Sequence, residues 1–210
     1  MAIRLPPDSL PTERLILRRW TAADRAAFAT INADPQVMAT LGPPATPDQS
    51  DGYVDDFERW FDEFGYSLWC VEAVGGAGCV GAVGLGHPGF EASFTPCVEI
   101  AWRIASRHWG RGYAPEAARA VLADGFERVG LGEIVAYTSV TNAKSRRVMD
   151  KLGMVYDPAA DFDHPRLAVG DPLRPHVVYR LARPALGPQL AVERTELAPR
   201  MIDLLAKDHP

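Results

Sequence analysis

Short runs in which apolar and branched residues alternate with polar ones recur along most of the chain. A period of two residues is typical of strands that bury one face. Residues 75–78 include three glycines and separate two of these runs, which predicts a β-hairpin turn. The predicted strands are 13–20, 67–74, 79–86, 96–104, 132–140, 154–157 and 176–182.

Four further segments carry their apolar residues at helical spacing. The first ends near Asp34, because the residue before Pro35 avoids the α-helical region. The second begins at Ser50 or Asp51, after a proline-rich loop. The predicted helices are 21–34, 50–64, 113–128 and 142–153. Strands and helices in this order predict an α/β fold built on one mixed sheet.

The pattern divides the chain into one domain, residues 1–182, and a tail, residues 183–210. Leu197, Met201 and Leu204 recur at helical spacing in the tail and predict an amphipathic helix. Such a helix packs on its own domain or on a second copy of the chain in a homodimer. The residues alone leave both arrangements open.

Composition and charge exclude several classes of protein. The 210 residues include 27 acidic and 22 basic side chains, a net charge of −5 that argues against nucleic-acid binding. No run approaches the ~18 apolar residues of a membrane span, and the first residues lack the apolar core of a signal peptide. The three cysteines have no CxxC spacing, which argues against disulfides and a metal site. We therefore expect a cytoplasmic protein that binds neither membranes nor metals.

A dinucleotide-binding motif is the first candidate for chemistry. Residues 76–81 match the pattern G-x-G-x-x-G and follow a predicted strand. That motif requires a helix immediately afterwards, so that the helix N-terminus meets the pyrophosphate. Residues 82–90 contain three glycines and a proline, which no helix tolerates. The hairpin interpretation is therefore preferred.

The segment 109–114 is a better candidate for binding phosphate. Gly110 and Gly112 precede the helix predicted from residue 113, so backbone N–H groups and the helix dipole can face an anion. No Lys-Ser/Thr pair follows, so the segment is not a P-loop. The alternative is a glycine-rich turn without a ligand, and this motif alone leaves both open.

Glu99 lies in the middle of an apolar strand. The alternation places it on one face with Cys97, Ala101 and Arg103. A carboxylate in such surroundings is costly unless it is paired or functional. It is either the partner of an arginine or a general base with a raised pKa.

Asn142 and Ser145 are the third group of candidates. Asn142 is a suitable N-cap for the helix that follows, and Ser145 lies on the apolar face of that helix. The hydroxyl of Ser145 therefore needs a partner in the core or in a ligand. The opposite side of the helix carries a basic patch or a solvated face. The basic residues are Lys144, Arg146, Arg147 and Lys151.

Together these segments resemble the GNAT N-acyltransferases, and most closely the subgroup named for ribosomal-protein N-terminal acetyltransferases. The resemblance covers about residues 10–182 and rests on TERLILRRW, NADPQVM, GYSLWCVE, VEIAWRI, WGRGYAPEAARAVL, EIVAYTSVTNAKSRRVMDKLGM and HVVYRL. It implies a single mixed, mostly antiparallel sheet flanked by helices, and acetyl-CoA as co-substrate.

The resemblance also implies which residues bind the cofactor. The loop 109–114 would hold the pyrophosphate through its N–H groups, and the backbone of 102–104 would pair with the pantetheine arm. Asn142 matches a cofactor-contacting asparagine of the family. The implied set is Trp102, Arg103, Ile104, Trp109, Gly110, Arg111, Gly112, Tyr113, Ala114, Asn142, Ser145 and Arg146.

The chain departs from the family at one important position. Many members carry a tyrosine seven residues after the asparagine, where it protonates the leaving thiolate. Here that residue is Met149, which has no proton to donate. Ser145 faces the same way and is the expected substitute, so the predicted catalytic residues are Glu99 and Ser145.

These expectations define one function and one alternative. The chain transfers an acetyl group from acetyl-CoA to a primary amine, either a protein N-terminus or a small molecule. The alternative is a non-catalytic acyl-CoA-binding or regulatory module on the same fold. The amine would lie in a pocket lined by the first two helices and the loops 87–95 and 157–175.

Overall fold

The computed structural model describes residues 5–76 and 78–184. The helices are α1 (Arg25–Ala33), α2 (Pro35–Met38), α3 (Pro47–Phe64), α4 (Tyr113–Asp124) and α5 (Ala143–Lys151). The strands are β1 (Ser9–Pro11), β2 (Leu15–Arg18), β3 (Leu68–Ala73), β4 (Cys79–Gly86), β5 (Glu99–Ile104), β6 (Glu133–Ser139), β7 (Val155–Tyr156), β8 (Phe162–Asp163) and β9 (Pro175–Ala182). The predicted tail helix lies outside the described residues.

The strands form one sheet, as predicted. Its order is β1-β2-β3-β4-β5-β6-β9-β7, and β8 pairs with β9. Every described pair of neighbours is antiparallel except β5 and β6, which are parallel. The sheet is therefore mixed and mostly antiparallel, and β3 and β4 form the predicted hairpin.

The parallel pair β5 and β6 is joined over a very short length. Glu99 opposite Val135 is the one register pair between these strands, and the Val135 N–H donates to the Val98 carbonyl at 3.0 Å. Beyond this point the two strands separate. One backbone edge of β5 is consequently left without a neighbouring strand in the middle of the sheet.

Helices cover both faces of the sheet. On one face, α1, α2 and α3 pack through Phe28, Ile31, Val37, Met38 and Val54 against Cys70, Cys79 and Ala82. On the other face, α4 and α5 pack through Ala117, Ala118, Val121, Leu122 and Met149 against Val71, Val83, Ile100 and Ile134. The alternation along β5 directs Ile100 and Ile104 toward α4, and Glu99 and Arg103 toward α1 and α3.

The helix boundaries differ from the prediction at two places. Helix α3 begins at Pro47 rather than Ser50, because Thr46 caps it and forms a capping box with Gln49. Asp34 does end α1, but it also caps α2, which begins at Pro35. In both cases a proline in the first turn, where its missing N–H is tolerated, starts a helix.

Three further features belong to the described part of the chain. Its three cysteines are free, and Cys70 and Cys79 are buried. No helix within residues 5–76 and 78–184 is long and apolar enough to span a membrane. The same residues contain no cluster of His, Cys, Asp and Glu able to hold a metal ion.

Candidate active site

A cavity of about 650 Å³ opens where β5 and β6 separate. Its walls are residues 36–41, strand β5, the loop before α4, part of β6 and helix α5. Most of the predicted site residues line it together. These are Glu99, Trp102, Arg103, Ile104, Trp109, Gly110, Gly112, Tyr113, Ala114, Asn142 and Ser145.

Two residues of the predicted cofactor set do not line the cavity. The Arg146 side chain points away from it, and its Nε donates to the hydroxyl of Tyr179 at 3.3 Å. Arg111 also lies outside the lining, although the glycines on either side of it belong to it. The geometry therefore gives no support to a cofactor contact by either arginine side chain.

The basic side chains of α5 lie differently from the prediction. Lys144, Arg147 and Lys151 line the cavity, so they do not face away from it as the helical pattern had indicated. The Lys144 ammonium lies over the Trp109 ring, 3.6 Å from its centroid. One broad face of α5 thus lines the cavity, and this face is apolar at its centre and cationic at its rim.

Glu99 lies at the narrow end of the opening, beside the last bonded position of β5 and β6. It is opposite Gly86 in the antiparallel pair β4–β5, where a Cβ atom would come within 3.3 Å of the Trp60 ring and 3.9 Å of the Glu99 Cγ. A side chain at Gly86 would therefore crowd the Trp60 ring, while its contact with Glu99 would be an ordinary one. No arginine of the described residues forms an ion pair with Glu99, so the predicted alternative of an arginine partner is wrong.

Burial and a neighbouring phenol act in opposite directions on the Glu99 carboxyl. Burial raises its pKa above the ordinary value, and a hydrogen bond from Tyr137 partly opposes this rise. The pKa of Tyr137 is itself raised, first by burial and then by the negative charge of Glu99. Tyr137 therefore keeps its proton and acts as the hydrogen-bond donor toward the carboxylate.

Tyr137 was missed in the sequence because segment 132–140 is an ordinary strand pattern. It lies two positions after Val135, the residue opposite Glu99, so only the register of β5 and β6 indicates its role. Its ring packs against Phe90, Phe94 and Phe162 at centroid distances of 5.6–5.8 Å. The loops 87–95 and 157–175 therefore support Tyr137 from behind, and neither lines the cavity as predicted.

The loop before α4 is open toward the cavity. Gly110 and Gly112 have φ of +76° and +81°, a region that L residues rarely adopt, and α4 begins directly afterwards. A Cβ at Gly110 would meet no atom within 4 Å. The helix also takes in Ala114.

Arg14 holds this loop in place from outside the cavity. Its Nη1 donates to the Arg111 carbonyl at 2.9 Å, and its Nη2 forms a 2.5 Å ion pair with Glu116 in the first turn of α4. Glu116 also accepts from the Thr12 hydroxyl at 2.7 Å. These contacts hold the loop from outside the cavity.

Two residues next to the loop differ in how their polar atoms are satisfied. His108 lines the cavity, and its fully buried Nδ1 has no hydrogen-bond partner among the described residues, which is costly. The neighbouring Trp109 donates from Nε1 to the Ile104 carbonyl at 2.8 Å and joins the loop to β5.

Helix α5 begins as predicted, with Asn142 as its N-cap. Asn142 Oδ1 accepts from the Ser145 N–H at 3.1 Å, and Nδ2 donates to the Thr138 hydroxyl at 3.0 Å. The Ser145 hydroxyl makes no hydrogen bond with any described residue and lines the cavity. Met149 is buried on the same face. A hydroxyl is thus available at the site where the family's tyrosine is missing.

These features together define a class of protein. A strand edge left open between diverging parallel strands can pair with an extended, amide-containing arm. A helix N-terminus with an open glycine loop can hold phosphate groups. A buried carboxylate at the narrow end can accept a proton. This combination is that of an acyl-CoA-dependent transferase.

Comparison with known proteins gives the family. The family model described as "Acetyltransferase (GNAT) domain" matches residues 14–155. The chain belongs to the GNAT acetyltransferase family, and its activity is the transfer of an acetyl group from acetyl-CoA. The chain is therefore an enzyme rather than a non-catalytic module.

Individual relatives agree with this assignment. The uncharacterized protein YkkB of Bacillus subtilis strain 168 is 34% identical over 148 residues, 70% of this chain and 85% of YkkB. The crystal structure of an acetyltransferase from Agrobacterium tumefaciens C58 has a TM-score of 0.68 and 29% identity, covering 86% of this chain and 98% of that one.

A structure with bound coenzyme A shares the fold. RimL, a ribosomal L7/L12 alpha-N-protein acetyltransferase in complex with coenzyme A, has a TM-score of 0.67 at 14% identity. The match covers 83% of this chain and 97% of RimL. At this identity the likeness shows the fold alone.

Proposed function

We propose that this enzyme acetylates a primary amine, with Glu99 as the general base. The observation that carries the proposal is the position of Glu99 at the narrow end of the opening between β5 and β6. Glu99 is the one carboxylate among the described residues that line the cavity. An amine that reaches the acetyl group here therefore has one carboxylate that can accept its proton.

In the proposed reaction the amine attacks the thioester directly. The amine lone pair forms a bond to the carbonyl carbon, the carbon–sulfur bond breaks, and Glu99 takes the proton of the amine, directly or through a water molecule. Backbone N–H groups of β5 would polarise the carbonyl oxygen. The raised pKa of Glu99 suits this role, because a base is most effective when its pKa approaches the working pH.

Ser145 would donate a hydrogen bond to the departing thiolate sulfur, which takes its proton from solvent. Its hydroxyl is free of protein partners among the described residues, and it replaces the missing tyrosine at the Met149 position. A hydrogen bond to the sulfur grows stronger as negative charge develops, so this contact would act mainly in the transition state. Asn142 holds the first turn of α5 and so positions Ser145.

The rest of the cavity would hold the coenzyme. The open edge of β5 at Trp102 and Arg103 would pair with the pantetheine arm, and the N–H groups of the loop 109–114 would bind the pyrophosphate. Lys144, Arg147 and Lys151 at the rim supply positive charge for the phosphates. The Ile104 carbonyl already accepts a hydrogen bond from Trp109. Ile104 would therefore bind the pantetheine arm only through its backbone N–H group.

The proposal is tested by thiol release from acetyl-CoA with a panel of amines: short peptides with free N-termini, polyamines and amino acids. We expect release to depend on at least one amine, and to fall by about 10²–10⁴-fold in Glu99→Gln. The matched control is Glu63→Gln, at an exposed position of α3, and we expect it to behave as the unchanged enzyme. If no amine raises release above the rate of hydrolysis, amine transfer is wrong.

A further inference from the structure

Arg103 places a cation on the same face of β5 as Glu99, four positions further along the strand. Sequence reasoning had assigned Arg103 to the coenzyme through its backbone. Its side chain lies elsewhere, against the rings of Phe28 and Tyr53, with the guanidinium carbon 5.9 Å and 5.6 Å from their centroids. It is therefore held between α1 and α3 and also lines the cavity.

The guanidinium has no anionic partner within the described part of the chain. Its one hydrogen bond there runs from Nη1 to Asn32 Oδ1, at 2.5 Å. Nε and Nη2 donate to none of the described residues. Neither atom is fully buried, and Arg103 lines the cavity. Burial lowers the pKa of Arg103, which means that the cation is poorly solvated where it lies.

A buried network fixes the position of Arg103. Asn32 is fully buried, and its Nδ2 donates to the hydroxyl of the equally buried Ser50 at 2.8 Å. This contact joins α1 to α3 and orients Asn32 Oδ1 toward the guanidinium. An arginine that is braced on one side and open on the other is arranged to receive a ligand.

The Arg103 side chain lies on the face of the sheet opposite to the one that α4 covers. The loop 109–114 leads into α4, which packs on the opposite face of the sheet through Ile100 and Ile104. Arg103 is directed toward α1 and α3, next to the cavity wall formed by residues 36–41. The anion that it binds is therefore better placed on the acceptor than on the coenzyme.

We propose that Arg103 binds a carboxylate of the acceptor while Glu99 receives the acceptor's amine. The proposal rests on amine transfer with Glu99 as base. Four residues of a strand span about 13 Å. Allowing about 3 Å for the contact at each end leaves about 7 Å between amine and carboxylate. An extended dipeptide has this span, at about 3.3–3.6 Å per residue, whereas a single amino acid is too short.

Matched pairs of acceptors test this proposal. Gly-Gly and Gly-Gly-Gly are compared with their C-terminal amides, and Gly-Asp-Gly-amide with Gly-Asn-Gly-amide, which distinguishes a terminal from a side-chain carboxylate. Free glycine and glycinamide are the short controls. Values of kcat/KM are measured for the unchanged enzyme, Arg103→Gln and Arg103→Lys. The matched control Arg59→Gln removes an exposed arginine of α3 that pairs with Asp56. Thermal unfolding shows which variants are folded.

We expect at least one carboxylate probe to exceed its amide by about tenfold or more in kcat/KM. This preference should be lost in Arg103→Gln, persist in weaker form in Arg103→Lys and be unchanged in Arg59→Gln. Affinity for CoA should be the same in all four proteins. Equal rates for every pair, or a preference that survives in Arg103→Gln, would overturn the proposal. A loss of CoA affinity in Arg103→Gln would overturn it as well, because the anion would then belong to the coenzyme.

Calorimetric titration of the CoA-bound protein separates this proposal from amine transfer. If no probe is acetylated, amine transfer to these peptides fails, but binding still tests Arg103. Tighter binding of a carboxylate probe than of its amide, lost in Arg103→Gln, would support the anion site. Equal or absent binding of both would overturn it.

Discussion

Glu99 and Tyr137 lie together across the point where β5 and β6 separate, and the phenol lowers the pKa of the carboxyl that burial raises. Burial makes the charged carboxylate costly, and the phenol lowers that cost. This balance determines the pH range in which the base is free to accept a proton. Tyr137 is a positioning residue for Glu99, and five predictions follow from the surroundings of this pair and from the fold that holds it.

Tyr137→Phe should shift the pH profile upward. Glu99 acts in its deprotonated form, so kcat/KM rises as pH passes through its raised pKa. Removing the hydrogen bond that lowers this pKa should move the acid limb to higher pH. Tyr156→Phe, which removes an exposed phenol bonded to Asp161, should leave the limb in place. An acid limb unchanged in Tyr137→Phe would contradict the pairing.

Glu99→Gln should remove the base while leaving the coenzyme site intact. We expect kcat to fall by about 10²–10⁴-fold and the dissociation constant of CoA to change by less than about threefold. Single-turnover kinetics and calorimetric titration measure the two effects separately. A fall of less than about tenfold at every pH would make Glu99 a structural residue.

Ser145→Ala should lower kcat with little effect on CoA affinity. Alanine is a good helix former, so α5 should persist, and the lost hydrogen bond matters only once charge develops on the sulfur. Thr141→Val is a suitable control, because Thr141 also lines the cavity but bonds to Ser139 instead. A loss of CoA affinity with unchanged kcat would instead make Ser145 a ligand of the coenzyme.

Gly112→Val should weaken CoA binding by more than tenfold. The residue has φ of +81°, and its Cβ would lie 3.3 Å from Arg14 Nη2, so the loop must change shape. Backbone strain of this kind costs about 1–3 kcal/mol. Gly78→Val has the same φ of +81° but lies in the hairpin turn, where a Cβ would meet nothing within 4 Å. It should lose similar stability and keep its CoA affinity.

Asp24→Asn should destabilise the fold in a pH-dependent way. Burial alone would raise the Asp24 pKa, but hydrogen bonds from Arg18 and Thr21 outweigh it and lower the pKa from 3.8 to about 2. The folded state therefore gains stability above about pH 4 and loses it as pH falls toward 2.

We expect Asp24→Asn to lower the free energy of unfolding by about 2 kcal/mol near pH 7. The difference should shrink below about pH 4. Urea unfolding at several pH values measures it, with Asp62→Asn at an exposed position as the control. An equal loss at pH 7 and pH 2.5 would show that the charge of Asp24 is not the cause.

Local features of the sequence were enough to predict most of the elements. Period-two alternation identified the hairpin and the face of β5 that carries Glu99. The glycines at 110 and 112 and the N-cap Asn142 were recognised because their roles depend on nearby backbone groups. The start of α3 was misplaced, because the prolines near Thr46 were taken as a loop rather than as part of a capped first turn.

The contacts that make the site depend on residues far apart in the chain, and only the tertiary structure decided them. Tyr137 reaches Glu99 because β5 and β6 pair at Glu99 and Val135, a register that neither strand specifies alone. Arg103 meets Asn32 only because α1 and α3 pack on that face of the sheet.

The cationic rim of α5 shows the same limit. Helical spacing gives the angular order of Lys144, Ser145 and Lys151 around the helix, but it does not say how much of the circumference a cavity exposes. The sequence by itself determined which segments form strands, helices and the glycine loop, because those depend on local propensity and period. Packing decided which side chains share the cavity, because long side chains at the rim turn toward whatever space the neighbouring elements leave open.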